Sequence, residues 1–131
     1  MATAIPVLFV NDVPAAADFW RDRLGFQLDF LYGEPPFYAG VSRDGARLHM
    51  RHVDQPNFAE LAEREDQLIL AMIEVADAPT LFAEFEARGV DFPQRLVTQP
   101  WGGTEFHVRD PDGNCVSFVT FQGDAASASG P

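Results

Sequence analysis

The segment Val7–Pro14, with the sequence VLFVNDVP, joins an apolar run to a helix start. The segment Leu70–Pro79, LAMIEVADAP, repeats that order, and its Asp-x-Pro lies 65 residues after the first. Asp shortly before Pro favours a first helical turn, since proline lacks the amide hydrogen that is unpaired there and the carboxylate suits the helix dipole. The chain therefore contains a strand followed by a helix, twice.

The residues that follow extend the repeat to the rest of each half. Apolar side chains lie on one stripe of a predicted helix over 15–24, and Gly25 ends it before a predicted strand, Phe26–Leu31. The second half has Thr80–Arg88 and Gly89 in the same order. Asp44-Gly45 and Asp112-Gly113 are hairpin turn signals, each followed by alternating apolar residues.

Each half thus predicts the order βαβββ, and the fold class is α+β. We expect one domain over 1–121, with a first module at about 1–60, a second at about 67–121, and curved sheets around a cavity. The Gly-, Ala- and Ser-rich residues 122–131 are typical of a disordered tail.

Composition and charge narrow the class of protein. The chain has 131 residues, of which 47% are hydrophobic, enough for one domain with a core. Neither a membrane span nor a signal peptide is evident, and the single Cys115 is expected to be a buried structural thiol in a reducing cytoplasm. The net charge of −11 disfavours nucleic acid and favours cationic ligands, although it is equally typical of a protein kept soluble by its charge.

Several stretches resemble the vicinal-oxygen-chelate superfamily, which includes glyoxalase I, extradiol dioxygenases, and fosfomycin- and bleomycin-resistance proteins. The similarity covers about residues 4–121, and its Phe-Trp-Arg-Asp helix, Pro-Trp-Gly loop and Asn-Cys-Val strand resemble the bleomycin-resistance branch in particular. The stretches that carry it are Ala4–Leu8, Asp18–Phe26, Ala39–Asp44, Gln99–Gly102 and, most specifically, Phe106–Val119.

The resemblance allows the expected metal positions to be tested. Metal-dependent members place ligands on the first and last strands of each half, which correspond here to Ile5, His49, Leu70 and Ser117. A catalytic divalent ion needs three or four His or carboxylate ligands, and only His49 qualifies. We therefore expect neither an enzyme nor a cofactor, and a metal ion would arrive only within a metal-chelating drug.

Aromatic and polar residues are the candidates for ligand contact. Phe30, the stiff Pro35–Tyr38 loop and Trp101 could stack on a planar ligand, although Phe37 and Trp101 could equally be loop anchors. Met72 and Glu74 share one strand face, which could line the cavity, and Glu74 could instead lie in solvent. The same two alternatives hold for His49, a ligand contact or an ordinary strand histidine.

The bleomycin-resistance branch further implies a homodimer that exchanges its N-terminal strands near a proline, here Pro6, and binds drug between subunits. The implied function is sequestration of a bleomycin-type or related planar or peptide antibiotic, cationic or heteroaromatic. The alternatives are a metal-dependent lyase or dioxygenase and a binder of an unrelated metabolite. The predicted ligand contacts are Asp29, Phe30, Phe37, Tyr38, His49, Met72, Glu74, Trp101, Gly102 and Ser117.

Other polar residues are assigned to the surface. His52 and His107 are predicted to be surface or edge residues of strands. Glu84 and Glu86 are predicted to form a solvated helix face.

Overall fold

The first half of the chain forms a four-stranded sheet covered by one helix. The computed structural model describes residues 2–65 and 68–121. Strand β1 runs parallel to β4, the remaining pairs are antiparallel, and the order across the sheet is β1-β4-β3-β2. Its elements are β1 (Val7–Val10), α1 (Val13–Asp22), β2 (Gln27–Tyr32), β3 (Tyr38–Arg43) and β4 (Ala46–His52), followed by a helix that the sequence did not predict, α2 (Asn57–Arg64).

The second half repeats this topology. The order across its sheet is β5-β8-β7-β6, with β5 parallel to β8. The predicted α+β class with two βαβββ modules is confirmed, and the predicted disordered tail, 122–131, lies outside the described residues. The elements are β5 (Ala71–Glu74), α3 (Ala78–Ala87), β6 (Gln94–Thr98), β7 (Gly103–Arg109) and β8 (Cys115–Phe121).

The two Asp-x-Pro segments start helices as predicted. The Asp12 carboxylate accepts a hydrogen bond from the Ala15 amide at 3.0 Å, and the Asp77 carboxylate accepts one from the Thr80 amide at 3.1 Å. Each carboxylate satisfies one of the unpaired N–H groups that open a helix. Helix α1 begins two residues before the predicted range because Asp12 is its N-cap, and it ends at Asp22, with Arg23 as its C-cap.

One face of each sheet packs against its own helix. In the first module Trp20 of α1 belongs to one core cluster with Leu48 and Met50 of β4, and all three are almost completely buried. In the second module Phe85 of α3 packs edge-on against Phe106, with ring centroids 5.7 Å apart. Because side chains alternate along a strand, the other face of each sheet is available for a second role.

Polar contacts join the two modules. The Asn114 side-chain amide donates to the Phe9 carbonyl at 3.0 Å, and Asn114 also donates to the buried Asp110 carboxylate at 2.9 Å. Arg43 donates to the Glu84 carboxylate at 2.8 Å. The prediction that Glu84 is merely solvated is therefore wrong, because the fold places Arg43 at the end of β3 within hydrogen-bond distance of Glu84 on α3. Cys115 is buried and free, and no helix within 2–65 or 68–121 is long and apolar enough to cross a bilayer.

Candidate ligand-binding site

Three predicted contact residues form an aromatic cluster on the first sheet. The rings of Phe30 and Tyr38 are nearly parallel, at an interplanar angle of 7° and with centroids 6.1 Å apart. His49 meets Phe30 edge-on at 5.2 Å, and the Tyr38 hydroxyl lies 3.0 Å from His49 Nδ1. With Phe30 40% exposed and the other two rings partly exposed, the cluster, Phe30–Tyr38–His49, is open to a planar ligand.

The cluster depends on strand alternation and on a glycine. His49 lies between the core residues Leu48 and Met50 and therefore points away from α1. Gly40 is its neighbour on β3, and a Cβ built there would be 2.4 Å from Phe30 Cε2. Any larger residue at Gly40 would force the Phe30 ring to move.

The remaining predicted contacts of the first module lie beside this cluster. The Asp29 carboxylate, on an irregularity of β2, accepts a hydrogen bond from the Ser42 hydroxyl at 2.9 Å. Phe37 packs edge-on against Tyr32 in the loop between β2 and β3, and its ring lies over Gly33. That packing is the loop-anchor arrangement, and 47% of Phe37 is still exposed.

The predicted contacts of the second module lie on β5, on β8 and in the loop before β7. Met72 is half exposed and pairs beside Ser117, while Glu74 is exposed two residues further along. Trp101 lies over Gly103, and 58% of it is exposed. Gly102 has φ +104°, a conformation in which a side chain would be strained.

A buried polar row lies on the same face of the second sheet as Ser117. His107 pairs with Ser117 across β7 and β8, and its Nε2 lies 2.7 Å from Glu105 Oε2. The prediction that His107 is a surface residue is wrong, because it is 1% exposed. The burial of Glu105 was not predicted, since a polar residue at every second position is also the pattern of a solvated strand face. Within the part of the chain that the structure describes, Glu105 Oε1, His107 Nδ1 and the Ser117 hydroxyl have no hydrogen-bond partner.

A cavity of about 840 Å³ lies between the modules. Met72 and Glu74 are among its lining residues, together with the Arg43–Leu48 stretch of the first module, but the Phe30–Tyr38–His49 cluster is not. The predicted contacts therefore fall into two groups, one in each module. Of these contacts only Met72 and Glu74, in the second group, line this cavity.

The expected metal positions do not fit a metal ion. Ile5 and Leu70 precede β1 and β5, and the residues that pair beside His49 and Ser117 are Val7 and Met72. Neither aliphatic nor thioether side chains are ligands for a catalytic divalent cation. Across 2–65 and 68–121, no three His, Cys, Asp or Glu side chains come together in a group that could hold one.

Comparison with known proteins gives the family. The model of the Glyoxalase/Bleomycin resistance protein/Dioxygenase superfamily matches residues 3–118, and the chain belongs to this superfamily. A bleomycin resistance protein of Geobacillus stearothermophilus is 28% identical over 129 residues, which cover 90% of this chain and 96% of that protein.

Solved structures of similar fold include proteins with bound drug. The bleomycin-binding protein of Streptomyces verticillus, crystallised with copper(II)-bleomycin, is 37% identical, with a TM-score of 0.72 over 93% of this chain and 98% of that one. TioX of Micromonospora sp. ML1 is 24% identical, with a TM-score of 0.69 over 91% of this chain and 95% of that one, and it shares the fold.

Proposed function

We propose that this protein binds a bleomycin-type or related planar or peptide antibiotic and confers resistance by sequestering it. The observation that carries the proposal is the open Phe30–Tyr38–His49 cluster on a sheet where Val7, which cannot bind a metal ion, pairs beside His49. Stacked rings at a partly exposed site suit a heteroaromatic group. The Streptomyces verticillus relative, 37% identical, is a bleomycin-binding protein, which supports bleomycin as the first drug to test.

The proposed activity is binding without chemical change. Val7 and Met72 stand beside His49 and Ser117, so a lyase or dioxygenase reaction that depends on a protein-bound metal has no ligand set here. The protein needs no cofactor, and a metal ion arrives only as part of a metal-chelating drug. Metal analysis of protein purified without chelator checks this, and stoichiometric zinc, nickel, iron or manganese would refute it.

Titration calorimetry with metal-free and copper(II)-loaded bleomycin tests the drug. We expect saturable binding, and Phe30→Ala should weaken it at least about tenfold, or 1.4 kcal/mol, because the cluster loses its stacking ring. Leu31→Ala is the matched control, since Leu31 follows Phe30 on β2, is 44% exposed and points to the other side of the strand. An affinity no better than about millimolar for both forms of the drug would exclude bleomycin.

The working form is proposed to be a cytoplasmic homodimer with exchanged N-terminal strands. In the single chain β1 pairs with β4, and Val7 and Met72 remain 44% and 50% exposed. Apolar side chains exposed singly are also ordinary on a monomer, so the support for a dimer is the resemblance to the bleomycin-resistance branch. Light scattering of the purified protein should give the mass of a dimer, and a monomer at micromolar concentration would contradict the proposal.

A further inference from the structure

The open face of β4 carries hydrogen-bond donors. Arg47, His49 and Arg51 alternate with the core residues Leu48 and Met50, so all three side chains point away from α1. Both arginines are exposed, and within 2–65 and 68–121 neither guanidinium has an ion pair or a hydrogen-bond acceptor. A guanidinium has five N–H donors and no acceptor, so this face is rich in donors although the protein is strongly acidic.

The Tyr38 hydroxyl favours one tautomer of His49. Its hydroxyl lies 3.0 Å from Nδ1, and a phenol donates better than it accepts because the ring withdraws charge from the oxygen. Nδ1 then accepts this hydrogen bond, and the proton of the neutral ring is on Nε2. In this tautomer His49 offers an N–H donor at Nε2.

We infer that the Phe30–Tyr38–His49 cluster binds a planar group that carries a hydrogen-bond acceptor, such as an aromatic carboxamide or carboxylate. The plane stacks on Phe30, and the acceptor oxygen receives a hydrogen bond from His49 Nε2 with the two arginines alongside. Tyr38 is a positioning residue that acts through His49. The inference rests on the proposed ligand site. It predicts that the ligand group bound by this module carries an acceptor, rather than the cationic group that the net charge favoured.

Nitrogen-15 NMR of the histidine rings tests the role of Tyr38 without any ligand. In the wild-type protein near neutral pH, His49 Nε2 should have the shift of a protonated nitrogen and Nδ1 that of an unprotonated one. Tyr38→Phe keeps the ring but removes the hydroxyl, and the tautomer equilibrium should move toward protonated Nδ1. A wild-type ring protonated at Nδ1, or no change in Tyr38→Phe, would overturn this assignment.

Benzamide and benzamidinium test the ligand class because they have nearly the same shape. Benzamide is neutral and has an acceptor oxygen, whereas benzamidinium is a cation without an acceptor. We expect benzamide to bind more tightly and to shift the signals of His49 and Phe30 in NMR titrations. His49→Phe and Tyr38→Phe should each reduce the preference for benzamide by about two- to tenfold, the effect of one hydrogen bond. Amide spectra of both variants establish that they are folded.

Equal or tighter binding of benzamidinium at this face would overturn the inference. Neither experiment uses bleomycin, so the two proposals can fail separately. If bleomycin does not bind while benzamide is preferred, the proposed drug is wrong and the inferred ligand class stands. If bleomycin binds while benzamidinium is preferred at His49, the drug stands and the inferred class is wrong.

Discussion

The two modules share a topology and differ on the face that points away from their helices. On the central strand pair of the first module Gly40 lies beside His49, and in the second module His107 lies beside Ser117. The glycine leaves space for the Phe30 ring, so the first face is aromatic and open. The matched position of the second module holds His107, which pairs with Glu105, so the β7 and β8 positions of this face are polar and buried. Gly40 thus lies in an open aromatic site, whereas His107, at the matched position of the second module, lies in a buried polar row.

The largest effect is expected from breaking the buried pair of the second module. His107→Ala leaves the Glu105 carboxylate buried without its partner, and the free energy of unfolding should fall by about 3–5 kcal/mol. Urea denaturation measures this change. His49→Ala, at the half-buried ring of the first module, should cost about 1 kcal/mol or less.

A double variant checks that the loss comes from the unpaired charge. Changing Glu105 and His107 together to leucine removes both partners and should recover much of the stability lost in His107→Ala. If His107→Ala and His49→Ala cost the same, the two faces do not differ as described.

The turn over residues 110–114 contacts β1 through Asn114, and its buried Asp110 should make the stability of the protein depend on pH. Burial raises the pKa of Asp110 to about 6, against the opposing hydrogen bonds from Asn114. Because the pKa in the folded protein lies above the ordinary 3.8, the protonated form is favoured by folding, and its stabilisation is present below about pH 4 and lost as the pH rises through 6. The loss is on the order of 3 kcal/mol, from 1.36 kcal/mol per pKa unit.

Denaturation of the wild type and of Asp110→Asn between pH 4 and pH 7 measures this loss. The difference in unfolding free energy between the two proteins should change in favour of Asp110→Asn as the pH rises. A difference that is constant with pH would show that Asp110 keeps an ordinary pKa in the fold.

The role of Gly40 in leaving space for the Phe30 ring can be tested by adding a single methyl group. Gly40→Ala places a methyl group against Phe30, so the ring must leave its stack with Tyr38. We expect bleomycin, if it is the ligand, to bind about tenfold more weakly, or 1.4 kcal/mol, by calorimetry. In a Phe30→Ala background Gly40→Ala should have little further effect. Additive losses would mean that Gly40 does not act through Phe30.

The smallest effect is expected at the ion pair between the modules. The hydrogen bond from Arg43 lowers the pKa of Glu84, so the stabilisation is present above its ordinary 4.5 and lost as the pH falls through the lowered value. Glu84→Gln should cost about 0.5–1 kcal/mol at pH 7, because the pair is partly exposed, and less at pH 3. Glu86→Gln, which breaks the more exposed pair with Arg95, is the matched control and should cost less.

The sequence alone determined the features that depend on near neighbours in the chain. The Asp-x-Pro caps, the Asp-Gly turns and the strand alternation follow from local backbone chemistry, and together they predicted both modules. They did not predict α2, where Pro56 precedes the helix and no side chain caps it. Met72 and Glu74 were correctly placed on one strand face by alternation alone, with Ala71 and Ile73 packed against the core.

Only the tertiary structure decided which face is open. Gly40 and Phe30 lie on different strands, and nothing near either residue in the chain indicates that the Phe30 ring lies over Gly40. His107 and Ser117 pair across a hairpin and are almost completely buried, and the alternation of polar and apolar residues there is equally typical of an exposed face. Local chemistry fixes the order of elements, whereas contacts between distant residues fix whether a polar strand position meets ligand, solvent or the interior.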